Sequence, residues 1–339
     1  MQLWLPRFLL LSETAVWRTG CRYIELGNEQ YNANYIDQVV AMEKKAVELG
    51  IGGTLHYMFP GNPGFLNATD IARAKQLSPR MDDQMLADIH IGGGGAVRTA
   101  EALFAKDPEL NFGAVNAETN MGCHGFIRAM AEASDLNDWF NSPLAAKDAT
   151  TNRLHFRTAS FCMEDGTDFD HWDQGIAFFL PNQTWMQPPG YVHQMISRSW
   201  QPSALNYSAT SAGAVVASPQ TLFSAQKSTD GKTLVMRYIN FNNWTKPSDP
   251  AKVTVRLKDK RGAAVKTTGE ATMTTLQSLD GRAANPPGQP ALISPRRRVL
   301  PSFADGSVLD IPSNSYVVVE ATLAEGIQAG DESTRSSQK

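Results

Sequence analysis

The chain has 339 residues, with 31 Lys and Arg against 34 Asp and Glu and a formal net charge of −3. Such a near balance, without a basic stripe, argues against a nucleic-acid partner or an anionic membrane, and the length predicts two domains with substantial cores. The cysteines Cys21, Cys123 and Cys162 cannot all pair and match no zinc or redox spacing, so buried or free thiols are expected.

Residues 1–20 read as an irregular start. The apolar stretch Met1–Leu11 is broken by Pro6-Arg7 and is too short to span a bilayer. It also lacks the leading positive charge and trailing small residues of a signal peptide. From 21 to 202, short apolar runs alternate with helical patterns, which predicts βα units on a parallel sheet. A strand at 21–28 leads to Asn28-Glu29 and a helix over Tyr35–Leu49, stopped by Gly50. A strand over 51–58 is followed by one over about 85–91, the glycines Gly92–Gly95 and a helix over about 96–106. The strand 111–117 reaches Glu118, and a helix follows near 125–139. The strand-like Gly175–Leu180 and a helix opened by Pro188-Pro189 complete this half.

Residues 203–324 change character. The Val-, Thr- and Leu-rich runs 215–224, 232–239, 252–258, 270–278 and 315–323 are separated by turn signals at Asp230-Gly231, Asp280-Gly281 and Asp305-Gly306. They predict an antiparallel β-sandwich, in which the cluster Arg296-Arg297-Arg298 reads as a solvated loop. The polar stretch 325–339 reads as a disordered tail. Sequons begin at Asn67, Asn182, Asn206 and Asn243, compatible with secretion but close to chance, so the compartment stays open.

Parallel strands present functional side chains at their C-terminal ends, so 21–28, 85–91 and 111–118 should share one rim. They carry Asn28 with Glu29, Asp88 with His90, and Glu118. Two strand-end glutamates suit glycosidic cleavage, where one carboxyl protonates the leaving oxygen and the other attacks or activates water. An exposed loop carboxylate or a structural histidine is the alternative for each residue alone. Gly92–Gly95 lacks both the third glycine of a dinucleotide fingerprint and the Lys-Ser/Thr of a P-loop. Neither His-Glu-x-x-His nor Gly-x-Ser-x-Gly occurs, so neither a catalytic metal nor a cofactor is expected. Trp172, Trp185 and Tyr191 stand near the last βα segment, where a ring such as Trp185 could stack on a sugar or pack in the core.

Four segments together resemble glycoside hydrolase family 51, the α-L-arabinofuranosidases, of the eukaryotic type. They are Tyr23–Glu29, Asp88-Ile89-His90, the region of Glu118, and Asp173–Ile176 through Pro188–Met195. Asn285–Pro290, Ile293–Pro295 and Pro312–Tyr316 also fit that family's end. The resemblance covers roughly residues 20–323 and implies a partial (β/α)8 TIM barrel, about strands four to eight, followed by a C-terminal β-sandwich. It implies retaining hydrolysis of terminal α-L-arabinofuranosyl units without a metal. Glu118 is then the nucleophile, Glu29 the acid/base and Asn28 a partner of the sugar 2-hydroxyl, with His90 and Trp185 binding substrate. The sequence departs from the family at Ile91-Gly92, where an aromatic is usual. Because Glu29 falls on the segment resembling strand four, open barrel edges are expected to promote oligomers and weaken activity. A catalytically inactive carbohydrate-binding or scaffold relative, or another two-glutamate glycosidase such as a xylosidase or glucuronidase, stays open beside this reading.

Overall fold

The computed structural model describes residues 23–26, 35–60, 76, 84–88, 101–102, 113–116, 125–141, 154–156, 163–165, 176–211, 214–215, 222–242 and 246–324. These fall into two compact units, one running to Asn116 and the other starting at Gly125. The chain is a mixed helix-and-sheet protein.

In the first unit, β1 (Tyr23–Glu25), β2 (His56–Pro60), β3 (Met85–Asp88) and β4 (Gly113–Asn116) pair in that order, each parallel to the next. The βα reading of the sequence holds here. Helix α1 (Tyr35–Glu48) joins β1 to β2 and buries Tyr35, Ile36, Val39, Glu43 and Ala46, a stripe with helical spacing. That stripe packs with Leu26, Leu55, Tyr57 and Met85. Gly50, at φ +73°, ends the helix as expected. Its N–H bonds to Val47 O at 3.0 Å and the Ile51 N–H to Ala46 O at 2.9 Å, which together satisfy two of the last carbonyls.

One member of the α1 stripe is an acid. Glu43, 2% exposed, accepts hydrogen bonds from Tyr57 Oη at 2.8 Å, Gln84 Nε2 at 3.1 Å and the Gly53 N–H at 2.6 Å. Three donors compensate the desolvation of the carboxylate. Burial, reinforced by the hydrogen bond to Glu43, pushes the Tyr57 phenol far above its usual range. Tyr57 lies near the N-terminal end of β2 and Gln84 just before β3, so this network sits at the edge where the parallel strands begin.

The second unit opens with α2 (Gly125–Asn141) and β5 (Leu154–Phe156). β6 (Met163–Asp165) pairs parallel with β7 (Ala177–Leu180), and β7 turns through Pro181-Asn182 into antiparallel β8 (Gln183–Met186). Helix α3 (Pro188–Ser199) follows with Pro at its first positions, as the sequence predicts. The remaining strands are β9 (Ser203–Ala204), β10 (Thr210–Ser211), β11 (Ala214–Val215), β12 (Phe223–Lys227), β13 (Thr233–Asn240), β14 (Ala251–Thr254), β15 (Thr267–Gln277), β16 (Arg296–Phe303), β17 (Val308–Ile311) and β18 (Ser315–Leu323). Six of them form an antiparallel sheet in the order β16, β15, β18, β13, β12, β9.

Strand alternation divides the side chains of this sheet between two cores. Leu234, Met236 and Tyr238 of β13 and Val317, Val319 and Ala321 of β18 join Val255, Leu309 and Ile311, beside the two-stranded sheet of β14 and β17. Val235, Ile239, Tyr316 and Val318 point the other way and pack on α2 and α3 through Phe126, Met130, Leu136, Val192 and Ile196. Among the described residues, the antiparallel layer is therefore covered by a short strand pair on one face and by helices on the other.

Two buried cations tie the helices in place. Arg128 of α2 donates from Nε to Glu132 Oε1 at 2.8 Å, and Glu132 Oε2 meets His193 Nε2 of α3 at 2.8 Å. On β13, Arg237 is fully buried and points towards the helices. It donates to Gln226 Oε1 at 2.7 Å and to Ser199 O at 3.0 Å, with its guanidinium carbon 5.0 Å from the Phe140 ring centroid. Ser199 is the last residue of α3, where a cation suits the helix dipole. Burial pushes the guanidinium below its usual range, while Tyr316 and Glu320 act to hold it up.

Arg296-Arg297-Arg298 is exposed, as expected, but opens the edge strand β16 where a loop is predicted. Charged side chains suit a strand edge.

Candidate active site

The parallel register places the C-terminal ends of β1, β2, β3 and β4 on one edge of the first unit's sheet. Glu25 of β1 stands level with Met58, Met58 with Leu86 of β3, and Leu86 with Gly113 of β4. Beyond β1 the ladder continues, with the Leu26 N–H donating to Met58 O at 3.0 Å. The C-terminal ends of β1, β3 and β4 therefore lie at the same edge, opposite the Glu43 network.

Asn28, Glu29, His90 and Glu118 lie outside the described residues, as do Cys21, Cys123, Cys162, Trp172 and the tail 325–339. Trp185 is described. It sits on β8, 6% exposed, donates its indole N–H to Asn285 O at 2.6 Å, and meets the Phe178 ring edge-on at a centroid distance of 6.0 Å. Its ring is taken up by packing between β7 and the segment around Asn285. Tyr191 is partly buried against the helix-covered core.

Residues whose packing role has no local signal in the sequence hold this region together. Asn285, fully buried, donates from Nδ2 to Met186 O and to Ile293 O, both at 2.9 Å, and accepts from the Ile293 N–H at 2.7 Å. It also bonds through its main chain to Trp185 and Gln187, the residue capping α3. Gly190, within the first turn of α3, faces Ile176 O so closely that a Cβ would stand 2.4 Å from it. Glu43 did leave a trace in the sequence, as an acid on the apolar stripe of α1. Asn285 and Gly190 fall in segments that carry the family resemblance, but no local pattern marks the packing roles they have.

Among the described residues no group of three or more His, Cys, Asp or Glu side chains is placed to hold a metal ion. Likewise, no described helix is long and apolar enough to cross a membrane.

Solved structures with a similar fold include α-L-arabinofuranosidases and a family 86 β-porphyranase from Bacteroides plebeius, the latter with a TM-score of 0.50 at 12% identity over 91% of this chain and 57% of that one. Arabinose-bound MgGH51 aligns with a TM-score of 0.61 at 13% identity, over 89% of this chain and 45% of that one. The fold resembles that of family 51 glycoside hydrolases. The Thermotoga maritima enzyme in its arabinose complex gives 0.58 at 13% identity, over 88% of this chain and 66% of that one. The thermostable enzyme of Thermotoga petrophila gives 0.55 at 14%, over 87% and 65%. The chain thus spans about half to two thirds of the length of these structures. No protein-family model matches the sequence, and no curated protein does.

Proposed function

We propose that the chain is a retaining glycoside hydrolase of the family 51 type, releasing terminal α-L-arabinofuranosyl residues from arabinose-containing glycans. The supporting observation is the register of the parallel sheet. Glu25 is level with Leu86 and Gly113, so β1, β3 and β4, the strands that precede Glu29, His90 and Glu118 in the sequence, end on one edge of the sheet. The fold resemblance to arabinofuranosidases favours the same reading, in which residues 21–202 belong to a (β/α)8 barrel and 203–324 to a β-sandwich.

In this mechanism the Glu118 carboxylate attacks the anomeric carbon while Glu29 gives its proton to the departing glycosidic oxygen, leaving a glycosyl ester on Glu118. Glu29, now a carboxylate, takes a proton from water, whose oxygen attacks the same carbon and frees Glu118. Asn28 hydrogen-bonds the sugar 2-hydroxyl, a contact that strengthens as positive charge develops on the ring. His90 is assigned to sugar binding on the same reading. Trp185, being enclosed, contributes by holding β8 against Asn285.

Azide rescue separates the roles. Glu118→Ala abolishes turnover of an aryl α-L-arabinofuranoside, and azide restores it with inversion. Glu29→Ala keeps activity on good leaving groups, and its azide product retains configuration. Exchanged stereochemistry would reverse the two roles. A folded parent chain that hydrolyses none of the aryl arabinofuranoside, xyloside and glucuronide would overturn the proposal.

A further inference from the structure

The outer face of the sheet formed by β14 and β17 carries charge in a pattern that the linear sequence disperses. Val253, Val255 and Leu257 pack into the core beneath, together with Val265. Strand alternation turns Lys252, Thr254, Arg256 and Lys258 the other way, and all four are exposed. The run continues past β14 as a hairpin, in which the Val265 N–H donates to Leu257 O at 3.0 Å and the Asp259 N–H to Ala263 O at 2.9 Å. Lys260 and Arg261 stand exposed at its tip, and Lys266 is exposed on its return.

Six cations meet three carboxylates here, and two of the carboxylates are committed to the main chain. Asp259 Oδ1 accepts the Arg261 and Ala263 N–H groups, both at 2.8 Å, and Asp305 Oδ1 accepts the Leu257 N–H at 2.7 Å. The ion pairs are long: 3.5 Å from Arg261 to Asp259, 3.4 Å from Lys258 to Asp305 and 3.9 Å from Lys252 to Asp310. Such exposed pairs are weak, so an incoming anion can compete for the cations. Arg256 Nη1 lies 2.7 Å from where a Cβ on Gly306 would stand, which lays the guanidinium across the turn between β16 and β17.

We propose that this face binds an acidic glycan, whose carboxylates are carried at intervals along an uncharged backbone. The choice of a glycan rests on the glycoside hydrolase reading; its acidity rests on the face itself. Alternate residues of a strand stand about 6.6 Å apart, a sparse spacing suited to carboxylates borne on successive sugars. Duplex DNA instead presents a charge about every 1.7 Å along its axis. The outward residues Lys252, Thr254, Arg256, Lys258, Val308 and Asp310 also offer no aromatic ring on which the bases of a single strand would stack. The arginines of β16 form no equivalent face. Arg297 alternates with Arg296 and Arg298 across the strand, and Arg297 and Arg298 are turned onto Thr272 Oγ1 and Met273 Sδ.

The test is calorimetric titration of the full chain with polygalacturonate, with its uncharged methyl ester and with duplex DNA. It is run at about 0.01 M and about 0.1 M salt, between which the Debye length falls from about 30 Å to about 10 Å. The parent should bind polygalacturonate in preference to the ester, and more weakly at the higher salt. The triple variant Arg256→Gln, Lys258→Gln, Lys260→Gln should lose about 10-fold in affinity, and Lys260→Gln alone about 2-fold. The triple variant Arg296→Gln, Arg297→Gln, Arg298→Gln should match the parent. Urea midpoints confirm that each variant is folded, and Lys260→Gln, at the hairpin tip, keeps the test open if the first triple variant is not.

A parent that fails to bind polygalacturonate at low salt, or binds the ester equally well, would overturn the proposal. So would a loss confined to the β16 variant, or tighter binding of duplex DNA, which would make the face a nucleic-acid surface. Because binding is read without turnover, the two readings fail separately. An active chain that does not bind would remove the glycan face alone, whereas a chain that binds but hydrolyses no aryl glycoside would remove the hydrolase reading and leave the face.

Discussion

The side-chain amide of Gln187 and the main chain of Asn285 exchange two hydrogen bonds, Nε2 to the carbonyl at 2.8 Å and the Asn285 N–H to Oε1 at 2.9 Å. One amide thus pairs with both main-chain groups of Asn285, as a neighbouring peptide would in a sheet. Asn285→Ala leaves this exchange in place but removes the three side-chain bonds to Met186 and Ile293. Each buried group left unpaired costs about 1–3 kcal/mol, so a loss of about 3 kcal/mol is expected. Urea unfolding with an unchanged m-value checks it.

In the first unit, at the edge where the parallel strands begin, Glu43→Ala strands the Tyr57 hydroxyl, the Gln84 amide and the Gly53 N–H together. The expected destabilisation is about 3 kcal/mol or more, while Tyr57→Phe, which removes one donor, costs about 1–2 kcal/mol. Both variants should keep the parent kcat at a temperature where they remain folded. A large fall in kcat would place the network within the catalytic machinery.

Arg237 donates to both Ser199 O and Gln226 Oε1. Arg237→Lys keeps the charge but loses the planar fork that reaches the two acceptors at once. The variant is expected to lose about 2–4 kcal/mol, measured as a lower urea midpoint.

Acid should weaken the turns of the second unit. Asp305, through the Leu257 N–H, and Asp259, through the Ala263 N–H, are held below the ordinary carboxylate range, and so is Asp230, through Ser228 and the Lys232 N–H. A carboxyl depressed in the folded state contributes stability that is full above its unfolded value, near about 4, and is lost as pH falls through the folded value. Asp305→Asn should therefore flatten the fall of Tm between about pH 4 and pH 2, and leave the curve near neutrality parallel to that of the parent.

Where the sequence was legible, a period or a stop signal carried the information. The stripe Ile36, Val39, Ala46 with Gly50 behind it defines α1, and the apolar runs through Leu234–Ile239 and Tyr316–Ala321, set off by turn signals, define the two central strands of the antiparallel sheet. β16 escaped notice because Arg296–Arg298 and Pro301 break any alternation, as an edge strand permits and an interior one does not. The packing of α2 and α3 on the sheet was not legible either, since an apolar face states that it will be covered and not by what. For the candidate site, strand-end position singled out Glu29 and Glu118, both of which lie outside the described residues. The setting of Trp185 depended on Asn285, 100 residues away.

The arginines of β16 have a consequence for how far the sheet extends. Any strand adding to that border would lie beside three consecutive guanidinium groups and, at Pro301, would find no N–H to accept. Growth of the ladder stops there through side-chain chemistry, with no capping loop required. A polyanion that neutralised Arg296, Arg297 and Arg298 would lift part of that barrier, so the border is self-terminating only while its charges stand unpaired by such a counterion.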